Sequence, residues 1–377
     1  MNSSNLNQAL SGAARLRALP LALMLAAGAA QAQDAGSMFS YSGFGTVGAL
    51  HSSSKDGDYV STRYQTSGAG ASRNWDIGAD TKLGAQINAR FSDQWSASVQ
   101  VIAMPRTNNT YGPRIEWANL QYAITPDLKV RVGRSALATF MVSDTRLVGY
   151  ANTWARPPVE VYGSTPMTNI DGVDVSYKHR FGNVTNTLLV FAGKTKIDAV
   201  LANGGILSGI KVDRIQGLGN AVEFGAWTAR VGYSQSDVTI PITPTFILAI
   251  PLKTYNIGAI YDPGTWFVQA ELAKVKSPGF TRLVNTGYVH GGYRIGNFTP
   301  YAMYAKSSSF DSTLPNPPNQ STTSAGLRWD GLKNIAFKLQ FDQVNLKSGT
   351  TGAFVNVRPG LAGDKVKLVS VSADFVF

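Results

Sequence analysis

The chain has 377 residues and a mass of 40.3 kDa, with 15% charged and 44% hydrophobic residues, 38 glycines, a formal charge of +11 and a pI near 9.7. It contains no cysteine, which excludes a disulfide scaffold, a Cys-ligated metal and a Cys nucleophile. A mean hydropathy of −0.05 argues against disorder, no apolar run is long enough for a membrane helix, and three scattered histidines (His51, His179, His290) are poor material for a zinc site.

In chain order the first element is an export signal. Arg15 and Arg17 precede the apolar run 19–27, and Ala30-Gln31-Ala32 supplies the small-x-small pattern of a cleavage site. Cleavage after Ala32 removes two arginines and leaves 33–377 as a single domain.

From there a period of two runs almost to the last residue. Trp75, Ile77, Ala79, Thr81, Leu83, Ala85, Ile87, Ala89 and Phe91 alternate with Asp76, Gly78, Asp80, Lys82, Gly84, Gln86, Asn88 and Arg90. Successive strand residues point to opposite faces, so 75–91 predicts one long strand with an apolar and a charged wall. In that register Leu83 faces lipid, and Gly84, on the opposite wall, tolerates serine. The pattern returns at Trp95–Val101, 118–122, 128–133 and 173–178, then in strands from Trp227, Tyr255, Trp266, Val284, Phe298, Ala325, Ile335 and Val366. Short connections such as Ser92-Asp93-Gln94 and Asp262-Pro263-Gly264 alternate with long ones at about 52–72, 105–113, 134–170, 194–212, 235–252, 275–283, 306–320 and 344–364. Long strands with a wet face and a greasy face, joined by short turns at one end and long loops at the other, predict a transmembrane antiparallel β-barrel, in which no edge is left unpaired. Eight long loops imply about sixteen strands. The weak alternation of 184–193 and 213–224 leaves fourteen or eighteen open.

The last strand ends on the apolar comb Val369, Val371, Ala373, Phe375, Phe377. It resembles the C-terminal assembly signal of Gram-negative outer-membrane proteins, with Phe375 and Phe377 as the recognised residues. With the export signal and strand pattern, 33–377 as a whole is similar to the trimeric porin superfamily of Gram-negative proteobacteria. The resemblance implies a homotrimer without cofactor, contacts with outer-membrane lipid and lipopolysaccharide, and delivery by the outer-membrane assembly machinery. It also implies that the third outer loop, after the fifth strand, folds inward to narrow a pore. The segment from Arg134 through Asp144, Arg146, Arg156 and Glu160 occupies that place and carries Phe140, Tyr150, Trp154 and Tyr162 as anchors. It lacks the acidic Pro-Glu-Phe-Gly-Gly-Asp signature of enterobacterial general porins.

The polar strand phase places Lys82, Arg90, Lys129, Arg131, Lys178, Arg180, Arg230, Arg294, Arg328 and Lys338 toward the lumen, against Asp76, Asp80, Asp174, Glu271 and Asp342. Such an excess of cations enriches anions in a narrow, low-dielectric passage. The expected pore residues are Lys82, Lys129, Arg131, Arg134, Asp144, Arg146, Arg156 and Glu160, with Asp144 and Glu160 facing a basic ladder of Lys129, Arg131 and Arg134. In the alternative, Arg134 and Arg156 are tied to loop carbonyls and carboxylates and hold the loop in place. The expected function is passive diffusion of small hydrophilic solutes with anion preference. The alternatives are a specific channel for small acidic solutes or, in another class, an enzyme or adhesin barrel. His179, at a strand end on the lipid phase, is the nearest catalytic candidate but has no nucleophile beside it. The dispersed charges form no nucleic-acid patch.

Overall fold

The computed structural model describes residues 37–163, 167–241, 246–277, 282–310, 319–361 and 363–377. The export signal with its cleavage site lies outside the described residues. Sixteen strands make one sheet: β1 (Phe39–Ser52), β2 (Lys82–Arg90), β3 (Trp95–Ala103), β4 (Arg114–Ala123), β5 (Leu128–Ala136), β6 (Asn169–Phe181), β7 (Val184–Val200), β8 (Ile206–Phe224), β9 (Trp227–Pro241), β10 (Ile247–Tyr261), β11 (Trp266–Ser277), β12 (Arg282–Tyr293), β13 (Phe298–Phe310), β14 (Gln320–Leu332), β15 (Ile335–Leu346) and β16 (Lys365–Val376). Each pairs antiparallel with the next, and β16 returns to β1 over Phe44↔Val376 to Ser52↔Leu368, so the sheet closes on itself. The chain is a sixteen-stranded antiparallel β-barrel, and no described helix is long and apolar enough to cross a membrane.

The wall is inside-out compared with a water-soluble protein. Along β15, Phe337, Leu339 and Phe341 are exposed while Ala336, Lys338, Gln340 and Asp342 are buried. β11 repeats the pattern, with Leu272 64% exposed and Glu271 1% exposed. The exposed belt continues through Ile87, Val99, Leu120, Val132, Val175, Val190, Leu218, Val231, Ile257, Val289 and Leu327. A soluble monomer does not leave so continuous an apolar surface in water; hydrocarbon is its natural solvent. At the short-turn end, exposed Phe91, Trp95, Phe181, Phe224, Trp227, Trp266, Tyr293 and Phe298 make an aromatic girdle suited to a membrane–water interface.

Two details differ from the alternation read along the chain. The strand expected over 75–91 is broken: Trp75–Asp76 pairs with His51 and Leu50, β2 pairs with β1 from Thr46 downward, and 77–81 leave the ladder. The cause is local, since Asp76 Oδ1 accepts the backbone N–H groups of Gly78 (2.8 Å) and Ala79 (2.6 Å) and so competes with strand pairing. The connections expected over 194–212 and 235–252 are largely strand, as β7 to β10 run for 15 to 19 residues and stand above any bilayer. Register shifts at Gly193/Thr195, Ile197/Ala199 and Gln235/Asp237 move the side-chain phase there, whereas 184–193 pairs without a break and alternates poorly because its inner face is apolar as well, Phe191 and Leu189 packing with Ile170, Val212 and Ile215. By contrast β2 to β5 have 9 or 10 residues each, so the rim steps down on that side.

Candidate functional site: the segment between β5 and β6

Residues 137–168 join β5 to β6, which are neighbours in the wall, yet their partners lie mostly on strands far around the sheet. Pro157-Pro158 leads into a single helical turn, α1 (Val159–Tyr162), closed by Gly163 donating its N–H to Val159 O (2.9 Å). Phe140, Trp154, Val161 and Tyr162 pack against Ala273 of β11, Tyr288 of β12 and Tyr301, Met303 and Ala305 of β13. The Trp154 ring also lies 4.7 Å from that of His290.

Polar bonds tie the segment down at several further points. Glu271 accepts the Met141 N–H (2.9 Å) and the Tyr162 hydroxyl (3.0 Å). Lys338 of β15 donates to the carbonyls of Gly149 (2.7 Å) and Trp154 (3.0 Å) and pairs with Asp374 of β16 (2.9 Å). Arg328 of β14 donates to the carbonyls of Tyr150 and Asn152, both at 2.8 Å. Gln340 accepts the Ala155 N–H at 2.9 Å.

Arg156 is the centre of the arrangement. Its side chain is 4% exposed, and its guanidinium forks onto Asp80 at 3.0 and 2.6 Å, reaches Asp342 at 3.1 Å and Ser370 at 2.5 Å, and lies over the Tyr59 ring at 5.5 Å. Burial alone would lower its pKa, but the charge and hydrogen bonds of Asp80 outweigh that and hold it well above its ordinary value. The break at 77–81 gives Asp80 this reach, and Gly48 of β1 leaves the space: a Cβ there would sit 3.0 Å from Asp80 Cβ. Glu160, on α1, accepts from Gln320 Nε2 (2.6 Å) and the Thr322 hydroxyl. Burial pushes its carboxyl up, and those two donors partly offset the rise.

The other sequence-derived residues are arranged as follows. Arg131 is paired with Asp174 (2.8 Å), which also accepts from Ser135 (3.0 Å). Arg134 makes a two-point pair with Asp171 at 2.6 and 2.7 Å, on the same strand phase as exposed Val132 and Val173. Arg146 donates to the carbonyls of Tyr162 (3.2 Å) and Met167 (3.3 Å), and burial lowers its pKa from the ordinary value. Lys82 is half-buried and, among the described residues, donates to the Asp80 carbonyl alone, at 3.4 Å. Lys129 is half-buried, Asp144 is exposed, and neither has a hydrogen bond or ion pair among the described residues. Asp80, Asp342 and Lys338 were visible in the sequence as lumen-phase charges but not as partners of this segment. Ser370 and Asp374 were missed altogether, although they stand on the polar phase of the last strand, between Val369, Val371 and Ala373.

Phe375 and Phe377 lie against glycines of β1. A Cβ at Gly43 would collide with the Phe377 ring, one at Gly45 with that of Phe375, and Phe377 and Gly43 exchange backbone hydrogen bonds at 3.0 and 2.8 Å.

A family model described as Gram-negative porin matches residues 18–349. No curated protein matches the chain. Among solved structures it is similar to the outer membrane channel DcaP of Acinetobacter baumannii (13% identity, TM-score 0.59, 92% of this chain and 99% of that one). It is also similar to an anion-selective porin from Comamonas acidovorans (14%, 0.58, 90% and 100%). A third is the trimer form of OmpT, an outer membrane protein of Vibrio cholerae (12%, 0.54, 90% and 100%). At these identities the likeness is one of fold.

Proposed function

Because the chain belongs to the Gram-negative porin family, we propose that it forms a water-filled outer-membrane channel for passive diffusion of small hydrophilic solutes, with a preference for anions. The observation that carries the reading is the inverted wall, polar within and apolar without, closed over sixteen strands. The segment 137–163 is the constriction, because it is rooted at β5 and β6 while bonds from Met141 to Glu271, Arg156 to Asp80 and Asp342, and Glu160 to Gln320 tie it to the distant arc of the wall from β11 round to the break before β2. Anion preference follows from pairing. Asp80, Asp174, Asp342 and Asp374 are each buried against a cation, while Lys82 and Lys129 have no ion pair with a carboxylate among the described residues, which leaves an excess of positive charge on the inner phase.

The working unit is a homotrimer, exported through a signal cleaved after Ala32. On the tall side of the wall, exposed Lys194, Lys196, Lys211, Lys274 and Lys276 stand beyond the apolar belt. Lys196 and Lys211 are directly opposed across β7 and β8. Like charges so placed repel unless an anion lies between them, and lipopolysaccharide phosphates fit that role.

The test is single-channel conductance and reversal potential in a KCl gradient. Discrete steps with an anion-selective potential are expected, and neutralising Lys129 and Arg131 together to Gln should shift it toward cations, since Asp174 then loses its counter-charge. Absence of steps refutes the channel, and an unmoved potential refutes the selectivity.

A further inference from the structure

The hairpin of β7 and β8 does not simply rise from the wall. Its pairing skips between Gly193 and Thr195 and again between Ile197 and Ala199, and in each break β8 carries one residue more than β7. Arg214 in one break and Gly209 in the other have positive φ, 49° and 70°. Bulges of this kind bend and twist a hairpin out of line with the sheet below it. The tip beyond them is bonded to distant connections: Val200 donates its N–H to Arg63 O (2.7 Å), and Val357 donates its own to Ala202 O (2.8 Å).

Both contacts lie across the barrel. Arg63 belongs to the connection after β1 and Val357 to the one before β16, while β7 stands six strands from β1 one way round and β8 eight from β16 the other way. Those two connections fold inward over the constriction. They pair with each other through the backbones of Asp58 and Val355, at 2.8 and 3.0 Å. The Tyr59 ring lies against the Arg156 guanidinium, and Phe354 packs edge-on to Tyr59 (5.5 Å) in one cluster with Leu361 and with Val159 of α1. The next residue along each segment, Val60 and Val355, forms a separate buried cluster with Val200. One set of side chains is thus seated on 137–163, and the set beside it receives the hairpin arriving from the opposite wall.

We propose that the β7–β8 hairpin is a bridge over the outer mouth, locked by Val60, Val200 and Val355, and that this bridge is a size filter for solutes ahead of the constriction. It rests on the channel reading and adds the property by which solutes are sorted. The Arg156 cluster and the inner cations act on charge, whereas the contact that closes the bridge is three valines and backbone hydrogen bonds. A solute must therefore pass beside the bridge before it meets 137–163, and the bridge rejects it by cross-section alone.

Neutral sugars read this filter free of ion preference, so the assay is the rate of liposome swelling in arabinose and in raffinose. Replacing residues 200–206 by Asn-Gly closes the Ala199–Leu207 pair with a two-residue turn and removes the bridge; it should raise the raffinose-to-arabinose ratio at least threefold. Val200→Asp, which puts a carboxylate among the valines and leaves the hairpin at full length, should raise the ratio in the same direction and covers a deletion that does not fold. Because the chain has no cysteine, the contact itself can be tested: Ala202→Cys with Val357→Cys should be joined in outer membranes by a short bis-methanethiosulfonate linker. Absence of that cross-link would remove the bridge. A cross-link formed, with the ratio unchanged or lowered in both opened variants, would leave a bridge that filters nothing, and either result overturns the proposal. Conductance steps measured on the same preparations report separately on whether the channel exists.

Discussion

Replacing Arg156 with Gln removes the one cation between two carboxylates whose side chains are 3% and 2% exposed. Of their bonds to this corner, Asp342 keeps the Gln340 amide at 2.7 Å, while Asp80 loses both arms of its fork. Breaking a buried ion pair from one side typically costs about 3–5 kcal/mol, because the remaining charge is left without compensation. The backbone ladders of the wall do not include Arg156, so the loss falls on the attachment of 137–163 and not on the barrel. A cost of that size is comparable to everything that Lys338 supplies through its two carbonyls, at about 1.5–3 kcal/mol per charged hydrogen bond. The variant channel should therefore still form, with its heat-modifiable mobility unchanged, but should show strongly raised open-state current noise and new proteolytic cuts within 137–163. Arg156→Lys should fall between the two, since it keeps the charge and loses the fork. A quiet, uncut Arg156→Gln channel would refute this assignment of the anchor, and loss of the folded barrel would refute the separation of segment from wall.

Glu160 gives a pH signature. Burial raises its carboxyl above the unfolded value, so the ionised form costs attachment energy, and stability is gained as pH falls through the raised folded pKa toward the unfolded one. Current noise should accordingly decline on acidification from neutral pH, and Glu160→Gln should flatten that component of the dependence. Leu83→Arg, outward on β2, should cost roughly 2–4 kcal/mol of barrel stability in a urea titration in lipid. Gly84→Ser, which the alternation alone allows, should cost about 1–3 kcal/mol, because the Phe44 ring already lies where the new Cβ would go; a neutral result would show that Phe44 can move aside. Deleting Phe377 removes its ring from Gly43 and two hydrogen bonds from the seam, and should reduce the amount of folded protein in outer membranes, read by heat-modifiable mobility.

Much of the wall is legible in the sequence because a period of two is a local property. Phe337, Leu339 and Phe341 announce their face whatever the rest of the chain does. The reading fails where one extra residue flips the phase, as at Gly193/Thr195, and where a side chain outcompetes the ladder, as Asp76 does. Arg156 and Glu160 were identifiable as charges on a segment in the right place. Their partners were not, because Asp80 and Asp342 lie 76 and 186 residues away and meet Arg156 only after the strand order has wrapped round on itself. The pairing of Arg131 with Asp174 lies on adjacent strands and needed only the register, which a period of two does not fix.

The seam between β1 and β16 also governs how this protein can be made. Phe44 must wait for Val376, and Gly43 for Phe377, so the ladder that closes the sheet joins the two ends of the molecule and carries the largest sequence separations in it. Contacts so non-local are slow to form, because the entropy of a very long loop is spent before any bond is gained. Until the final residue arrives, both margins of a long sheet remain open and able to pair with any other chain nearby. The barrel is thus finished in a single late step, and a chain stopped even one strand short would leave two sticky edges in place of a slightly smaller pore.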